Sequence, residues 1–274
     1  MEKKTHYHRQ KNKSKKQYYY AVKQGFKPGV YTTWDECKEQ TTGYPKPIFK
    51  KFLTEEDANC FVSGEYFESD IKIGKEFTSR LHHGLYNPDN DYPIDCWNKY
   101  GNKLYLFTDG SERKLEYKKI SRLGIYIGEL ALNINQAYPN ATNNRCELLA
   151  IQYSLEIIDK NKKEIKAFQK LDSGNESYLE SIVVVSDSEY CINSCSNWIY
   201  GWQCNGWKTK ANKDILNQDI MKGILFLLNK LKLHSVRIEF LHVNSHQPPP
   251  LNNASGIFLW KGNQIADLLA QDKM

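Results

Sequence analysis

Two short apolar runs constrain the fold of this chain more than any other feature. LYLFTD, residues 104–109, and SIVVVSD, residues 181–187, are apolar on both faces, and each ends in an aspartate. Consecutive apolar positions suit strands covered on both sides, in a sheet packed between helices. A carboxylate at the end of such a run is costly unless something compensates its charge. If the two strands are neighbours, Asp109 and Asp187 meet at one position of the sheet.

The segments around these runs alternate in pattern. LGIYIGE and ALNINQAY read as further strands of a meander. NRCELLAIQYSLEIID reads as a helix with Leu148, Ile151, Leu155 and Ile158 on one face. EYCINSCSNW, NQDIMKGILFLLNKLK and NQIADLLAQDK read as helices, and RIEFLHVNSH as a last strand. The stretch 160–181, KNKKEIKAFQKLDSGNESYLES, reads as an inserted loop. Together, residues 102–274 form a mixed α/β domain.

Residues 18–64 read as a small α+β unit. YYYAVKQG, GVYTTW and PIFKKF are its strands, and TWDECKEQ and TEEDANCFV its helices. Thr33 with Glu36, and Thr54 with Asp57, have the spacing of helix N-caps and their third residues. Residues 65–101 lack clear periodicity and read as a linker. Residues 1–17 form a basic arm with seven Lys or Arg against one Glu. The rest of the chain is balanced in charge, so the arm carries the whole net charge of +6. Such an arm suits a phosphate backbone, a nuclear import signal or a solubilising tail.

No apolar run approaches the ~18–20 residues of a membrane span, and the N-terminus lacks an apolar signal core. Seven cysteines without a CxxC pair predict free thiols and a reducing intracellular compartment, nuclear or cytoplasmic. Cys191 and Cys195 lie four apart in a helix, but zinc needs two more ligands nearby.

Two further acids stand where they can join the first pair. Glu147 lies in the first turn of a helix whose next residues are apolar, and Asp267 lies in GNQIADLLA. Each alone reads equally as a helix cap or a surface charge. Four acids converging without basic partners would repel, and divalent cations resolve that. Hard oxygen ligands suit Mg²⁺, which also binds substrate phosphate. Two ions ~4 Å apart activate a water and stabilise the leaving oxygen of a phosphodiester.

FTDGS, TNNRCELLA, SDSEY, NWIYGWQCNGWKT, HVNSH and GNQIADLLA occur in the order, and nearly the spacing, of type 1 ribonuclease H. Residues 102–274 resemble that family. The small unit resembles the hybrid-binding domain of eukaryotic ribonucleases H, related to caulimovirus viroplasmin. The resemblance implies a ribonuclease H-like mixed five-stranded sheet flanked by helices, plus a small α+β N-terminal hybrid-binding domain. It implies an endonuclease that hydrolyses the RNA strand of RNA/DNA hybrids, leaving 5′-phosphate and 3′-hydroxyl ends. A non-catalytic, viroplasmin-like hybrid-binding scaffold is the alternative. A monomer is expected, with no membrane partner.

By the same resemblance, Asp109, Glu147, Asp187 and Asp267 hold two Mg²⁺ ions, for which Mn²⁺ can substitute. His246 matches a mobile histidine that assists proton transfer or product release. Thr142, Asn143 and Asn144 match contacts to the DNA strand and a phosphate, and Trp198 and Trp202 line the DNA channel. Tyr20, Trp34 and Phe49 meet the hybrid through flat faces, and Lys50 and Lys51 meet phosphate. From the residues alone, core packing is the favoured reading of Trp34 with Phe49 and the lesser one of Trp198 with Trp202. Three departures weaken the catalytic domain's grip: Asn140 replaces a phosphate-pocket arginine, SERKLEYKK lacks the usual glycines, and QCNGW replaces a more basic stretch. Related enzymes cross the interval between His246 and Asp267 in about half as many residues. The excess predicts an inserted loop over 247–262 with a stiff Pro-rich start. Its Ile257, Phe258 and Trp260 fold back on the domain or touch the hybrid.

Overall fold

The computed structural model describes residues 17–52, 55–63, 81–115, 118–171, 174–175, 177–245, 247–250 and 253–273. The chain divides into two compact units, residues 1–70 and 71–274.

In the smaller unit, β1 (Tyr19–Gln24) lies between β2 (Gly29–Tyr31) and β3 (Ile48–Phe52), antiparallel to both. Helix α1 (Trp34–Thr41) starts at Thr33 with the reciprocal cap that the spacing predicts. Thr33 Oγ1 accepts from the Glu36 N–H at 3.3 Å, and Glu36 Oε2 accepts from the Thr33 N–H at 3.1 Å. Helix α2 spans Glu55–Ser63. Its expected cap, Thr54, and the Asp57 side chain lie outside the described residues. Ala21, Val22, Cys37, Phe52, Ala58 and Phe61 form a small core.

The larger unit is built around β6 (Lys103–Leu115). On one side, β9 (Ser181–Ser186) runs parallel to it, followed by β10 (Ile238–His242), parallel to β9. On the other, β7 (Lys118–Tyr126) and β8 (Asn133–Pro139) continue the sheet antiparallel. These are the five strands of the expected mixed sheet. Two short strands extend it. β4 (His83–Gly84) pairs with β8, and β5 (Asn98–Tyr100) pairs with the stretch Lys103–Tyr105 of β6. Pairing of β7 with β6 starts only at Phe107, which leaves that edge open to β5.

Both added strands come from the interval that reads as a linker. Leu81, Tyr92, Ile94 and Trp97 there are buried, and Trp97 Nε1 donates to the Tyr92 carbonyl at 3.0 Å. Isolated anchors of this kind leave no periodicity to read.

The sheet separates two apolar layers. Leu104, Leu106, Ile182 and Val184 face α3 (Asn143–Lys160) and α7 (Gln218–Leu233), while Tyr105, Phe107, Val183 and Val185 face α8 (Ala254–Ala270). Alternation on a strand buried on both faces produces this division. Between β9 and α7 run α5 (Glu189–Asn193), a π turn (Ser194–Trp198) and α6 (Ile199–Cys204).

Two expectations are corrected. The stretch 160–181 contains a helix, α4 (Lys162–Gln169), anchored by the buried Ile165. Its lysines hide the apolar face, which is only Ile165 and Phe168. The interval before Asp267 is no loop beyond Asn253. Asn253 Oδ1 caps α8 by accepting from the Gly256 N–H at 2.9 Å, so GIFLW forms the first turns of the helix. Phe258 packs against Tyr100, Tyr105 and Phe107, with ring centroids 5.1, 5.0 and 5.6 Å away. Trp260 Nε1 donates to the Gln247 carbonyl at 2.9 Å.

Candidate active site

Parallel pairing of β6 with β9 ends at Thr108 opposite Ser186. The next residues are Asp109 and Asp187, so the two strand runs deliver their carboxylates to the same row. Asp109 does not end its strand. β6 continues to Leu115 as one arm of a hairpin with β7. Losing one partner strand there opens the edge toward α3 without releasing the backbone.

Glu147 comes from α3, whose N-cap Thr142 accepts from the Arg145 N–H at 3.2 Å. The helix approaches β6 at Gly110. A Cβ at that position would lie 2.6 Å from Glu147 Cγ and 2.8 Å from the Glu147 nitrogen, so glycine is required by contact. On the other face, the β7 partner of Asp109 is Gly124. A Cβ there would lie 2.3 Å from the Ala266 carbonyl oxygen, and its absence lets α8 lie on the sheet with Asp267 on its surface.

Carboxylate oxygens of Asp109, Glu147 and Asp187 all lie within 4.8 Å of one another. Asp109 and Glu147 are buried and Asp187 is half-buried. Asp267 stands outside this trio, where Gln271 Nε2 donates to its Oδ1. It still acts on the site through its charge. Burial pushes the Asp109 carboxyl well above the usual carboxylate range, and repulsion from Asp187 and then Asp267 adds to this. Burial also raises Glu147, while hydrogen bonds from Ser188, Cys191 and Asn143 pull it back. Asn143 Nδ2 donates to Glu147 Oε1 at 2.7 Å, and Cys191 Sγ donates to Oε2 at 3.3 Å. Among the described residues no Lys or Arg pairs with any of the three acids. An all-oxygen, acid-only cluster with no internal counter-charge fits a hard divalent cation.

Comparison with known proteins agrees with this arrangement. Residues 101–274 match the family model described as RNase H, and residues 18–62 match that of the Ribonuclease H1 N-terminal domain. The chain belongs to the RNase H family. It is 28% identical to Ribonuclease H1 of Homo sapiens over 93% of this chain and 88% of that one. It is 25% identical to Ribonuclease H of Schizosaccharomyces pombe, over 93% and 97%. Ribonuclease H of Treponema denticola is 35% identical over 44% of this chain and 69% of that one.

The remaining residues singled out by the sequence fall into different settings. His246 lies outside the described residues. Its neighbour in the motif, His242, has its Nε2 3.0 Å from the Asp187 carbonyl oxygen. Thr142 and Asn144 are exposed, whereas Asn143 is engaged with Glu147. Trp198 is exposed and lies 6.0 Å from Tyr190 and 5.9 Å from Trp202, between ring centroids. Trp202 is half-buried against the core.

In the N-terminal unit, Trp34 stands between Tyr20 and Phe49, with centroids 5.7 and 5.9 Å away. Trp34 and Phe49 are exposed, so they are not the little core. Tyr20 faces Lys51 across the ladder, and Val22 faces Phe49. Alternation therefore puts Tyr20, Phe49 and Lys51 on one face and Lys50 on the other. Lys51 Nζ lies 4.1 Å from the Tyr18 ring centroid.

The hold on Glu147 by Asn143 and Cys191 was not legible in the sequence. Cys191 follows Asp187 by four residues in a strand-to-helix turn, which is a usable signal only once β9 is placed beside β6. Arg145, inside TNNRCELLA, binds Asp219 at 2.5 Å and ties the start of α3 to α7.

Proposed function

We propose that this RNase H hydrolyses the RNA strand of RNA/DNA hybrids, leaving 5′-phosphate and 3′-hydroxyl ends. The observation that carries the reading is the convergence of Asp109, Glu147 and Asp187 oxygens within 4.8 Å, with no Lys or Arg paired to them among the described residues. Asp109, Glu147, Asp187 and Asp267 would together hold two Mg²⁺ ions, or Mn²⁺ in their place. When bound, the metal supplies an activated water and charge stabilisation at the leaving oxygen. The protein's part is to hold its acids in place and oriented through the rigid sheet and the bonds to Glu147, and a bound cation would favour their charged forms.

Recognition is divided in this reading. Thr142, Asn144, Trp198 and Trp202 contact the hybrid beside the acids, and His246 assists proton transfer or product release. The unit at 18–64 binds hybrid through Tyr20, Trp34, Phe49, Lys50 and Lys51, assisted by the basic arm at 1–17, and the catalytic domain at 102–274 is completed by β4 and β5 from the interval 65–101. The free thiols of Cys37, Cys96, Cys146, Cys191, Cys195 and Cys204 support a reducing compartment. No helix among the described residues is long and apolar enough to cross a membrane.

A direct test uses a labelled hybrid, a DNA duplex and an RNA duplex, each with Mg²⁺ or with EDTA. Cleavage confined to the RNA strand of the hybrid, and abolished by EDTA, is expected. Binding of the hybrid without cleavage would favour the scaffold reading instead.

A further inference from the structure

We propose that Cys191 is a positioning residue for Glu147, and that its thiol tunes the affinity of the acidic cluster for metal. The inference rests on the metal-holding role proposed above. Glu147 is the one member of the trio that arrives on a helix, through a side chain with three rotatable bonds. Asp109 and Asp187 are short and sit at sheet-fixed positions. A flexible carboxylate that must meet a metal gains most from being held beforehand. The structure supplies a donor to each of its oxygens. Asn143, one turn back on α3, donates to Oε1 at 2.7 Å. Cys191 donates to Oε2 at 3.3 Å from a different element, the first turn of α5.

That turn is fixed by its own cap. Ser188 Oγ accepts from the Cys191 N–H at 3.4 Å, and Ser188 directly follows Asp187. The clamp therefore links Glu147 to the same strand end that carries Asp187. Cys191 is fully buried, and its thiol lies within hydrogen-bond reach of Glu147 Oε2. A thiol is a weak donor and a soft, poor ligand for Mg²⁺. It can steer Oε2 without competing for a hard ion.

Substitutions of nearly equal shape separate this role from simple packing. Cys191→Val removes the donor, and Cys191→Thr keeps one on a side chain of similar outline. If Cys191 only fills space, Val should match the wild type and Thr should be worse, because it buries a hydroxyl. If Cys191 positions Glu147, the order reverses for metal. Mn²⁺ binding to the full chain, measured by calorimetry, should weaken about fivefold to tenfold in Cys191→Val. It should stay near wild type in Cys191→Thr, while the metal-free thermal midpoint of the Val variant is preserved. The Mg²⁺ concentration for half-maximal cleavage should rise in parallel. Should Cys191→Val fail to fold, Cys191→Ala removes the donor with less steric demand and carries the same comparison. Equal metal affinity in the wild type and the donor-free variant would overturn the inference. If the wild type itself binds no metal, the proposed function fails first.

Discussion

The two ends of this RNase H solve opposite problems. The acidic corner of the large unit draws Asp109, Glu147, Asp187 and Asp267 from segments spread over some 160 positions and buries the first two against a two-sided core. The aromatic face of the small unit draws Tyr20, Trp34, Phe49 and Lys51 from a stretch of about 30 residues and leaves it in water. The first is a rigid frame that holds like charges together against their repulsion. The second is an exposed surface on a core of few residues. A buried frame fails as a unit when one member changes, whereas an exposed surface weakens one residue at a time.

The largest expected effect breaks the first half of that comparison. Asp109→Asn should reduce hybrid cleavage about a thousandfold or more, equivalent to roughly 4 kcal/mol of transition-state stabilisation. Hybrid binding should persist. Near-normal cleavage by the variant would remove Asp109 from the site. The same substitution should raise the thermal midpoint in EDTA, because a repelled, buried carboxylate is replaced by a neutral amide.

The pH dependence follows from the burial of Asp109 and from repulsion by its acidic neighbours. Asp109 in the folded protein titrates well above its unfolded value, as burial and its acidic neighbours dictate. Its proton therefore favours the folded state. That contribution is complete below the unfolded value of about 4 and is lost as pH rises through the folded one. The thermal midpoint of the wild type in EDTA, minus that of Asp109→Asn, should fall as pH rises from 4 to 8. Saturating Mg²⁺ should offset the fall. A flat difference would show that Asp109 titrates alike in the folded and unfolded chain.

A graded loss is expected at the other end. Deleting residues 1–64 should weaken hybrid binding and shorten processive runs, while single-turnover cleavage of a saturating hybrid stays within a few fold. Unchanged affinity and unchanged salt dependence would assign the domain another role.

How much of this was legible depended on how local the signal was. The reciprocal cap of Thr33 and Glu36 needs four consecutive residues and was readable directly. The strands ending at Asp109 and Asp187 were readable because burial on both faces leaves an unbroken apolar run. That the two are neighbours in register is a tertiary fact, and only the pattern of motifs pointed to it. The segment at 81–100 was not readable as structure, since Tyr92, Ile94 and Trp97 are single anchors rather than a stripe. α8 was cut short at Asn263 because GIFLW follows a Pro-rich stretch, and prolines suggested a loop. Those residues are apolar nearly all round, which suits a helix laid in a groove of the sheet as well as it suits a folded-back loop. The clamp on Glu147 was beyond sequence reading, because Asn143 and Cys191 meet it from two sides of a junction.

The finest prediction concerns two adjacent lysines. Sequence alone treats Lys50 and Lys51 as one basic pair. The strand ladder separates them, with Lys51 opposite Tyr20 on the face of Phe49 and Lys50 opposite Ala21, which is buried. Binding through the aromatic face should depend on Lys51 more than on Lys50. Removing one cation that neutralises a phosphate lowers the slope of log affinity against log salt by roughly 0.7 to 0.9. Lys51→Ala should therefore flatten the slope by about that amount and weaken hybrid binding a few fold at moderate salt. Lys50→Ala should change the slope by less than half as much. Equal effects would mean that the long Lys50 side chain reaches around the strand edge, or that the hybrid meets both faces. In either case the aromatic row would not by itself define the binding surface, and the contrast between buried frame and exposed face would hold for the acids alone.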